Sequence, residues 1–360
     1  MQKLSVTRYN VGVDFSYKKF DVKLAANYQD NTRKVIGSRK FENNEKGFKE
    51  LENWTRDKCK EKEAEVRMSG EATGVYHERC CHYLHGQGRY VTIAVPSQVN
   101  AYKKSCGYKS KDDNIDATAL AYMGLEKNLD KWEPMNSFYY ELRSLTRHYQ
   151  SVQEMETVLR NQLHAEQAGM FASKAVVQQL KAGLKLFSTQ IDLLTTAIEE
   201  KINSDAEVKR KASAITDKLK GVAILTVATI IGEVNGFAFF NNRRQVASFA
   251  GYDVVRDQSG TREGKTKISK KGNSHIRRAL YFPAINVVRW KMKPFQNKYE
   301  RIFERTKIKM KGYTAIQKDL LMMIYTLWKY DRKFEPDYVY TQTKKATVIS
   351  GDCEAVSSFG

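Results

Sequence analysis

The chain has 360 residues, with 61 Lys or Arg against 41 Asp or Glu and a formal net charge of +20. This length exceeds one ordinary hydrophobic core and predicts two or three domains. The positive excess favours a polyanionic partner, because neutralised phosphates release condensed counterions. The sequence contains no run of eighteen apolar residues and no charged-then-apolar N-terminal signal, which argues against a membrane partner and predicts a cytoplasmic, nucleoid-associated protein.

The five cysteines are odd in number and lack the spacing of a disulfide framework, which predicts reduced thiols. The cluster Cys80, Cys81, His82 and His85 resembles a zinc site at first sight. Adjacent cysteines lack the C-x2-C geometry, and no second half of such a site lies nearby. A structural helix is therefore the preferred interpretation of this cluster.

Residues 1–125 have the pattern of an α/β domain. Its order is three strands, a helix, a strand, a helix and a further strand, which is typical of an RNase H-like sheet. In chain order the segments are RYNVGVDFSYKKFDVKLAAN (two strands), RKVIGSRKFEN, GFKELENWTRDKCKEKE, AEVRMSG, GVYHERCCHYLHGQG and RYVTIAVP.

Acidic residues lie where strands and helices end in this domain. Asp14 lies among apolar residues, where an unpaired carboxylate is costly. Glu71 directly follows a strand and is preferred to Glu78, which lies inside the next helix. Asp113 and Asp116 have helical i, i+3 spacing that puts both carboxylates on one face.

Asp112 lacks that spacing relative to the pair and is interpreted as a solvated or capping residue. The four acids Asp14, Glu71, Asp113 and Asp116 match the arrangement by which an RNase H-like fold holds two divalent metal ions. The sequence therefore predicts Mg²⁺ or Mn²⁺, two ions per active site, acting on a phosphodiester.

Residues 126–210 are predicted to form a helical arm. Apolar residues recur there at alternating spacings of three and four from Leu142 to Leu163, broken by Glu156 at one seam position. A second stripe runs without a break from Val177 to Ile198 and includes Leu184 and Leu194. Either an intramolecular helical hairpin or a coiled coil with a second subunit would bury these two stripes. The coiled coil is preferred, because a thin two-helix arm has little else on which to pack.

Residues 211–340 are predicted to form a mainly helical third domain. The segment KLKGVAILTVATIIGEVNGF has the pattern of a helix-hairpin-helix, which presents backbone N–H groups to a DNA phosphate, although Ala223 replaces the usual second glycine. Residues 256–311 carry 17 Lys or Arg against 4 Asp or Glu and are expected to bind nucleic acid. The polar tail, residues 341–360, is predicted to be disordered.

The nucleic-acid-binding candidates are basic residues that flank glycine in this segment: Arg262, Lys265, Lys267, Lys270, Lys271, Arg277 and Arg278. Ser259 precedes them beside Gly260. A serine beside glycine is usually a turn residue, but a serine hydroxyl can attack phosphorus when a base or metal activates it. Because no base adjoins Ser259 in sequence, its activation would have to come from another domain.

Five ordered motifs between about residue 8 and residue 335 resemble the DEDD transposases of the IS110 group of insertion sequences. These motifs are VGVDFS, SGEATGVY, KSKDDNIDATALA, LRSLTRHYQSVQEMETVLRNQLHA and QSGTREGKTKISKKGNSHIRRALY. The resemblance implies a RuvC-like domain, a coiled coil and a transposase domain, and a metal-binding tetrad of Asp14, Glu71, Asp113 and Asp116.

The resemblance further implies that Ser259 is the nucleophile and becomes covalently linked to DNA. It also implies a bridge RNA, encoded by the element itself, that pairs with target and donor DNA. The recombinase is expected to be a homo-oligomer, a dimer or tetramer.

Two other functions compete with an RNA-guided recombinase. A Holliday-junction resolvase would use the same acids for hydrolysis, but it needs only a compact catalytic domain. A non-catalytic scaffold gains nothing from four clustered acids. A covalent protein–DNA adduct would distinguish the recombinase from the resolvase.

Overall fold

The computed structural model describes residues 5–72, 74–108, 113–255, 258–259, 262–263 and 267–331; for residues 113, 114, 258, 259, 262 and 263 it describes only the backbone. The chain divides into two compact units, Met1–Pro134 and Met135–Gly360. The predicted tail at 341–360 and the candidate Lys265 lie outside the described residues.

The N-terminal unit is a mixed α/β sheet with helices. Its strands are β1 (Val6–Phe15), β2 (Lys19–Tyr28), β3 (Arg33–Glu42), β4 (Glu65–Glu71) and β5 (Tyr90–Ala94). Its helices are α1 (Glu45–Lys58), α2 (Glu78–Gly86), α3 (Pro96–Ser105) and α4 (Asp113–Glu126). The order from β1 to β5 is the predicted one, so this part of the sequence interpretation is confirmed.

The five strands pair in the order β3-β2-β1-β4-β5. The first three are antiparallel neighbours, whereas β1, β4 and β5 run parallel. Alternate residues of β1, from Tyr9 to Phe15, lie in a core shared with Phe48 of α1 and Cys80 of α2. One face of the sheet is therefore covered by α1 and α2.

Helix α4 covers the other face of the sheet, and glycine allows its close approach. A β-carbon on Gly12 of β1 would overlap the backbone of Ala117 and Ala121 in α4. Further along the same pair, a β-carbon on Gly124 would overlap Ser69 and Asn10. Helix and sheet backbones can approach this closely only because neither glycine has a side chain.

The C-terminal unit is mainly helical. Its helices are α5 (Ser137–Ala168), α6 (Lys174–Asn203), α7 (Ala206–Lys218), α8 (Ile224–Glu233), α9 (Arg243–Phe249), α10 (Ser274–Ala279), α11 (Tyr281–Arg289), α12 (Lys293–Thr306) and α13 (Lys309–Tyr330). Short two-residue strands β6 (Val254–Val255), β7 (Gln258–Ser259), β8 (Arg262–Glu263) and β9 (Lys267–Ile268) lie between α9 and α10.

Helices α5 and α6 pack against each other as an antiparallel hairpin. Glu141 near the start of α5 pairs with Lys201 near the end of α6. Near their middles, a β-carbon on Gly183 of α6 would meet the Leu159 side chain of α5 at 2.5 Å. The intramolecular hairpin is thus present, and whether a second subunit also packs on it stays a prediction.

The remaining helices share one hydrophobic core. It includes Ile215 of α7, Ile230 of α8, Ile276 of α10 and Leu320 of α13, all of them buried. The predicted helix-hairpin-helix is present as α7, a short connection with Gly221 at φ +97°, and α8. Within the described parts of the chain, no helix is both long and apolar enough to cross a membrane.

Candidate active site

Two of the predicted acids lie at the ends of neighbouring strands. In the parallel pairing of β1 with β4, Val13 lies opposite Gly70. The next residues, Asp14 and Glu71, therefore occupy adjacent positions where the two strands end, about one strand spacing of ~4.8 Å apart.

Both acids lie on the sheet face that α4 covers. Successive residues of a strand point to opposite faces, so Asp14 shares the face of Asn10 and Gly12, and Glu71 shares the face of Ser69. The Asn10 amide donates to the carbonyl of Ala121 in α4 at 2.9 Å, and the Ser69 hydroxyl donates to Asn10 at 3.0 Å. The contacts with α4 thus identify this face for both strands.

The direction of α4 brings the late acidic pair to the same end. Position 124 of α4 lies at Asn10, and position 117 lies at Gly12. Moving along β1 towards Asp14 therefore corresponds to moving along α4 towards its N-terminus, where Asp116 and Asp113 lie. Asp14, Glu71, Asp116 and the backbone of Asp113 converge at one edge of the domain, although they are up to 102 positions apart in sequence.

Asp116 forms an ion pair with a lysine side chain in this structure. Lys103 of α3 donates to the Asp116 carboxylate at 2.6 Å, and both side chains are about 85 % buried. Among the side chains that are described, no three His, Cys, Asp or Glu residues lie close enough together to hold one metal ion. Carboxylate oxygens are nevertheless the donors that Mg²⁺ and Mn²⁺ prefer, so the residues fit such an ion in their chemistry.

The alternative acid Glu78 belongs to a helix on the other face of the sheet. It begins α2, whose buried Cys80 and Cys81 pack into the core on the opposite face from α4. Burial raises the pKa of both thiols, which disfavours the thiolate form that zinc requires. The geometry thus favours Glu71 over Glu78 and a structural role for the Cys80–Cys81 pair.

Ser259 lies on a short ladder in the C-terminal unit. Strands β7 and β8 pair antiparallel, with Ser259 opposite Arg262. This backbone pairing places the serine on a hairpin between α9 and α10, beside basic residues, as the sequence indicated. The side chains of Ser259 and Arg262 lie outside the described part, so their roles stay predictions.

A buried carboxylate anchors the segment that follows this hairpin. Glu233, at the end of α8, has a side chain that is only 1 % exposed. It accepts from Arg147 of α5 at 2.6 and 2.8 Å, and from Asn273 at 2.6 Å. Asn273 in turn caps α10 by accepting from the backbone N–H of Ile276. One carboxylate thereby joins the arm, α8 and the start of α10.

The predicted nucleic-acid-binding residues occupy different environments. Lys267, Lys270 and Lys271 are exposed, which suits contact with phosphate. The Arg277 guanidinium instead donates to the backbone carbonyls of Ala250, Gly272 and Asn273. Arg278 pairs with Glu154 of α5.

Sequence reasoning missed several of these residues. No sequence pattern distinguishes Lys103, because its partner is 13 positions away in another helix, and Glu233 has the pattern of an ordinary helix-end acid. Asp21 lies opposite Asp14 in the β1–β2 pairing and is joined to Lys40 at 3.1 Å. In the sequence, Asp21 stands between the apolar residues Phe20 and Val22, and this alternation indicates that Asp21 lies on the face of β2 opposite to them.

Two family models match this chain. A model of DEDD transposases of the IS110 type, described as a transposase, matches residues 11–171. A second model, described as "Transposase IS116/IS110/IS902 family", matches residues 213–300. The first match covers Asp14, Glu71, Asp113 and Asp116, and the second covers Ser259.

The chain is also similar along nearly its whole length to proteins named "Pilin gene-inverting protein". The protein of Moraxella bovis is 26% identical over 328 residues, which cover 90% of this chain and 97% of that protein. The protein of Moraxella lacunata is 26% identical over 326 residues, with the same coverage. Two consecutive transposase models in the expected order, over an α/β unit and a helical unit, show that this chain belongs to the IS110 family of transposases and is a DNA transposase or recombinase.

Proposed function

We propose that this enzyme cuts and rejoins DNA through divalent metal held by Asp14, Glu71, Asp113 and Asp116 and through Ser259 as nucleophile. The observation that carries the proposal is the convergence of the four acidic positions at one edge of the N-terminal unit. The strand order β3-β2-β1-β4-β5, with α4 on the acidic face, supports an RNase H-like, RuvC-like assignment for this unit.

The acids would hold the metal and so orient the scissile phosphate. When bound, the divalent metal would neutralise the charge that develops on the phosphate oxygens. The backbones of Asp14 and Glu71 are fixed by paired strands, and that of Asp116 by a helix packed on glycine, so the three positions are pre-organised. A metal ion would replace Lys103 at the Asp116 carboxylate.

Ser259 would carry the covalent step. Its hydroxyl oxygen bonds to phosphorus, a P–O bond of the DNA backbone breaks, and the departing DNA oxygen takes up the proton that the serine gives up. A hydroxyl of a second DNA end then attacks the phosphoserine ester, and the serine recovers its proton. The ester conserves the bond energy, so joining requires no nucleotide cofactor.

The partners follow from the same proposal. DNA ends and target would be bound by the exposed Lys267, Lys270 and Lys271, together with Arg262 and Lys265, and a bridge RNA would pair with both DNAs. The net charge of +20 supports a large polyanionic partner. The Moraxella relatives are named for the inversion of a pilin gene. We propose that this chain performs DNA strand exchange of the same class.

The decisive experiment compares Asp14→Asn and Asp116→Asn with wild type on DNA that contains the element ends. Both variants should lose strand cleavage while they bind nucleic acid within about threefold of wild type. Asp57→Asn is the matched control, because Asp57 is an exposed acid of α1. Cleavage at the wild-type rate by either active-site variant would refute the metal assignment.

The nucleophile is tested separately by a denaturing gel. Wild type should form a protein–DNA adduct that resists denaturation, and Ser259→Ala should form none. Ser274→Ala, an exposed serine in the same region, should retain the adduct. Nicked products without any adduct in wild type would favour the resolvase alternative, which hydrolyses with the same acids.

A further inference from the structure

The α7–α8 hairpin meets an exposed tryptophan. Gly221 of the hairpin has φ +97°, and a β-carbon built on it would lie 3.1 Å from Trp290 Cζ3. The edge of the indole ring therefore rests on the hairpin glycine. The ring is nonetheless 55 % exposed, so much of its surface faces solvent.

A second exposed aromatic ring lies in the first turn of α11, the helix that Trp290 directly follows. Phe282 precedes Trp290 by eight residues, about two helical turns and ~12 Å of rise. Phe282 is 69 % exposed. Two large exposed aromatic rings within about two helical turns of each other are typical of a surface that binds a partner.

Basic residues flank both partners of the glycine–tryptophan contact in sequence. Lys218 and Lys220 flank the glycine on one side of the contact, and Arg289, Lys291 and Lys293 flank the tryptophan on the other. All five side chains are exposed, and none has an ion-pair partner within the described part of the chain. Exposed aromatic rings among unpaired cations are the combination by which proteins hold single-stranded nucleic acid.

We propose that Trp290 and Phe282 form a stacking platform for unpaired nucleotides, with Lys218, Lys220 and Lys291 on the flanking phosphates. This inference rests on the proposed function, since it assumes a nucleic-acid partner, and adds that part of that partner is single-stranded. A base pair inside a duplex keeps its faces covered by its neighbours, whereas an unpaired base offers a free face to the indole. The unpaired strand is either RNA or displaced DNA, which share this chemistry.

The test measures binding of the full-length protein to labelled 12-nucleotide oligo-rU, oligo-dT and a DNA duplex of equal length. Trp290→Ala should weaken binding to a single strand by about 5- to 150-fold, which is the usual contribution of one stacked base to affinity. Trp290→Phe should remain within about threefold of wild type, because it keeps a stacking ring. Duplex binding should not change in either variant.

The control variant is Phe171→Ala, which removes an aromatic ring that is 90 % exposed but lies between α5 and α6, remote in sequence from the hairpin. It should bind every probe as wild type does. A loss confined to oligo-rU would identify RNA as the ligand, and a loss confined to oligo-dT would identify a displaced DNA strand. Unchanged binding of both single strands by Trp290→Ala would overturn the proposal.

A measurement on wild type avoids dependence on the fold of the variant. Oligonucleotides with 5-iodouridine or 5-iododeoxyuridine should cross-link on irradiation to the peptide that contains Trp290, as mapped by mass spectrometry. Cross-links that avoid this peptide would also overturn the platform. Failure of wild type to bind any of the three probes would instead refute the proposed nucleic-acid function itself.

Discussion

At Gly12 and Gly124 the absence of a side chain determines where the acids lie. A methyl group at either position would overlap α4 or the sheet, and α4 would have to move outwards. Such a shift would also move Asp116 away from Asp14 and Glu71. Two glycines without chemistry of their own therefore position a candidate active site.

Lys103 is expected to compete with metal for Asp116. Lys103→Met should lower the stability of the metal-free protein by about 1.5–3 kcal/mol, because a largely buried carboxylate loses its charged donor. Adding Mn²⁺ should then raise the melting temperature more than in wild type, since no ammonium has to be displaced. Thermal unfolding with and without the ion measures both effects.

Lys104→Met is the matched control, because the neighbouring Lys104 is exposed and its side chain has no hydrogen-bond or ion-pair partner among the described residues. It should melt as wild type does and respond to Mn²⁺ as wild type does. A metal-induced rise in Lys103→Met that equals or falls below the wild-type rise would contradict the competition.

At the scale of elements, a half-buried histidine lies at the start of α10. His275 Nδ1 lies 2.7 Å from Gln150 Oε1, and burial lowers the pKa of His275. Nearby charged groups shift the pKa of His275 in opposite directions. Glu233 and Glu154 raise it, whereas Arg147 and Arg278 lower it. An amide oxygen can only accept, so the imidazole donates from Nδ1.

This lowered pKa predicts loss of stability in mild acid. Unfolded His275 binds a proton below a pH of about 6.5, whereas the folded form resists protonation. Stability is therefore complete above that pH and falls as the pH drops towards the lowered folded value, by at most about 1.4 kcal/mol per pH unit. Urea unfolding of wild type and His275→Asn at several pH values should show a shallower fall for the variant; parallel curves would contradict the assignment.

The α5–α6 hairpin leaves a second apolar stripe uncovered. The predicted seam residues Leu184 and Leu194 are half-buried against α5, whereas Leu186 and Leu193, seven apart, are 57 % and 65 % exposed. Heptad spacing on an outer face favours packing with another helix. This stripe is therefore the surface on which a second subunit is expected.

Leu186→Asp with Leu193→Asp should abolish self-association without unfolding the hairpin, because these side chains lie outside its seam. Light scattering should report a lower mass, and circular dichroism should report unchanged helix content. Leu184→Asp with Leu194→Asp, by contrast, should also reduce the helix content, because it puts charge into the seam. An unchanged mass in the outer-stripe variant would leave the intramolecular hairpin as the whole role of the arm.

At the scale of the whole molecule, the acids and the serine lie in different compact units. The tetrad lacks a protein nucleophile, and Ser259 lacks an adjacent base in sequence. A composite active site in an oligomer would allow one subunit to supply the acids and another the serine. Mixing inactive Ser259→Ala with inactive Asp14→Asn should then restore some strand transfer.

The control mixture contains Asp14→Asn and Asp116→Asn, whose lesions lie in the same acidic cluster. It should stay inactive, because every acidic cluster in the mixture carries a lesion. Recovery in the first mixture alone would establish sharing between subunits. No recovery in either mixture would favour an active site built within one chain.

Local pattern in the sequence determined much of this protein. The alternation in β1, β2 and β4 and the heptad spacing in α5 and α6 specify strands and helices, because the burial of a side chain depends on the period of its own element. The order of the N-terminal elements and the positions of Asp14, Glu71 and Asp116 at their ends were predictable for that reason. The motifs further indicated the family to which the chain belongs.

Only the tertiary structure decided which of these elements meet. The pairing of β1 with β4, the approach of α4 at Gly12, the ion pair of Lys103 with Asp116 and the contact of Trp290 with Gly221 join residues 13 to 109 positions apart. Long-range packing selects such partners by shape complementarity and by the hydrogen bonding of buried polar groups. Neither of these requirements produces a periodic pattern in the sequence. The sequence therefore indicated the candidate reactive groups, whereas the fold determined which of their positions lie together.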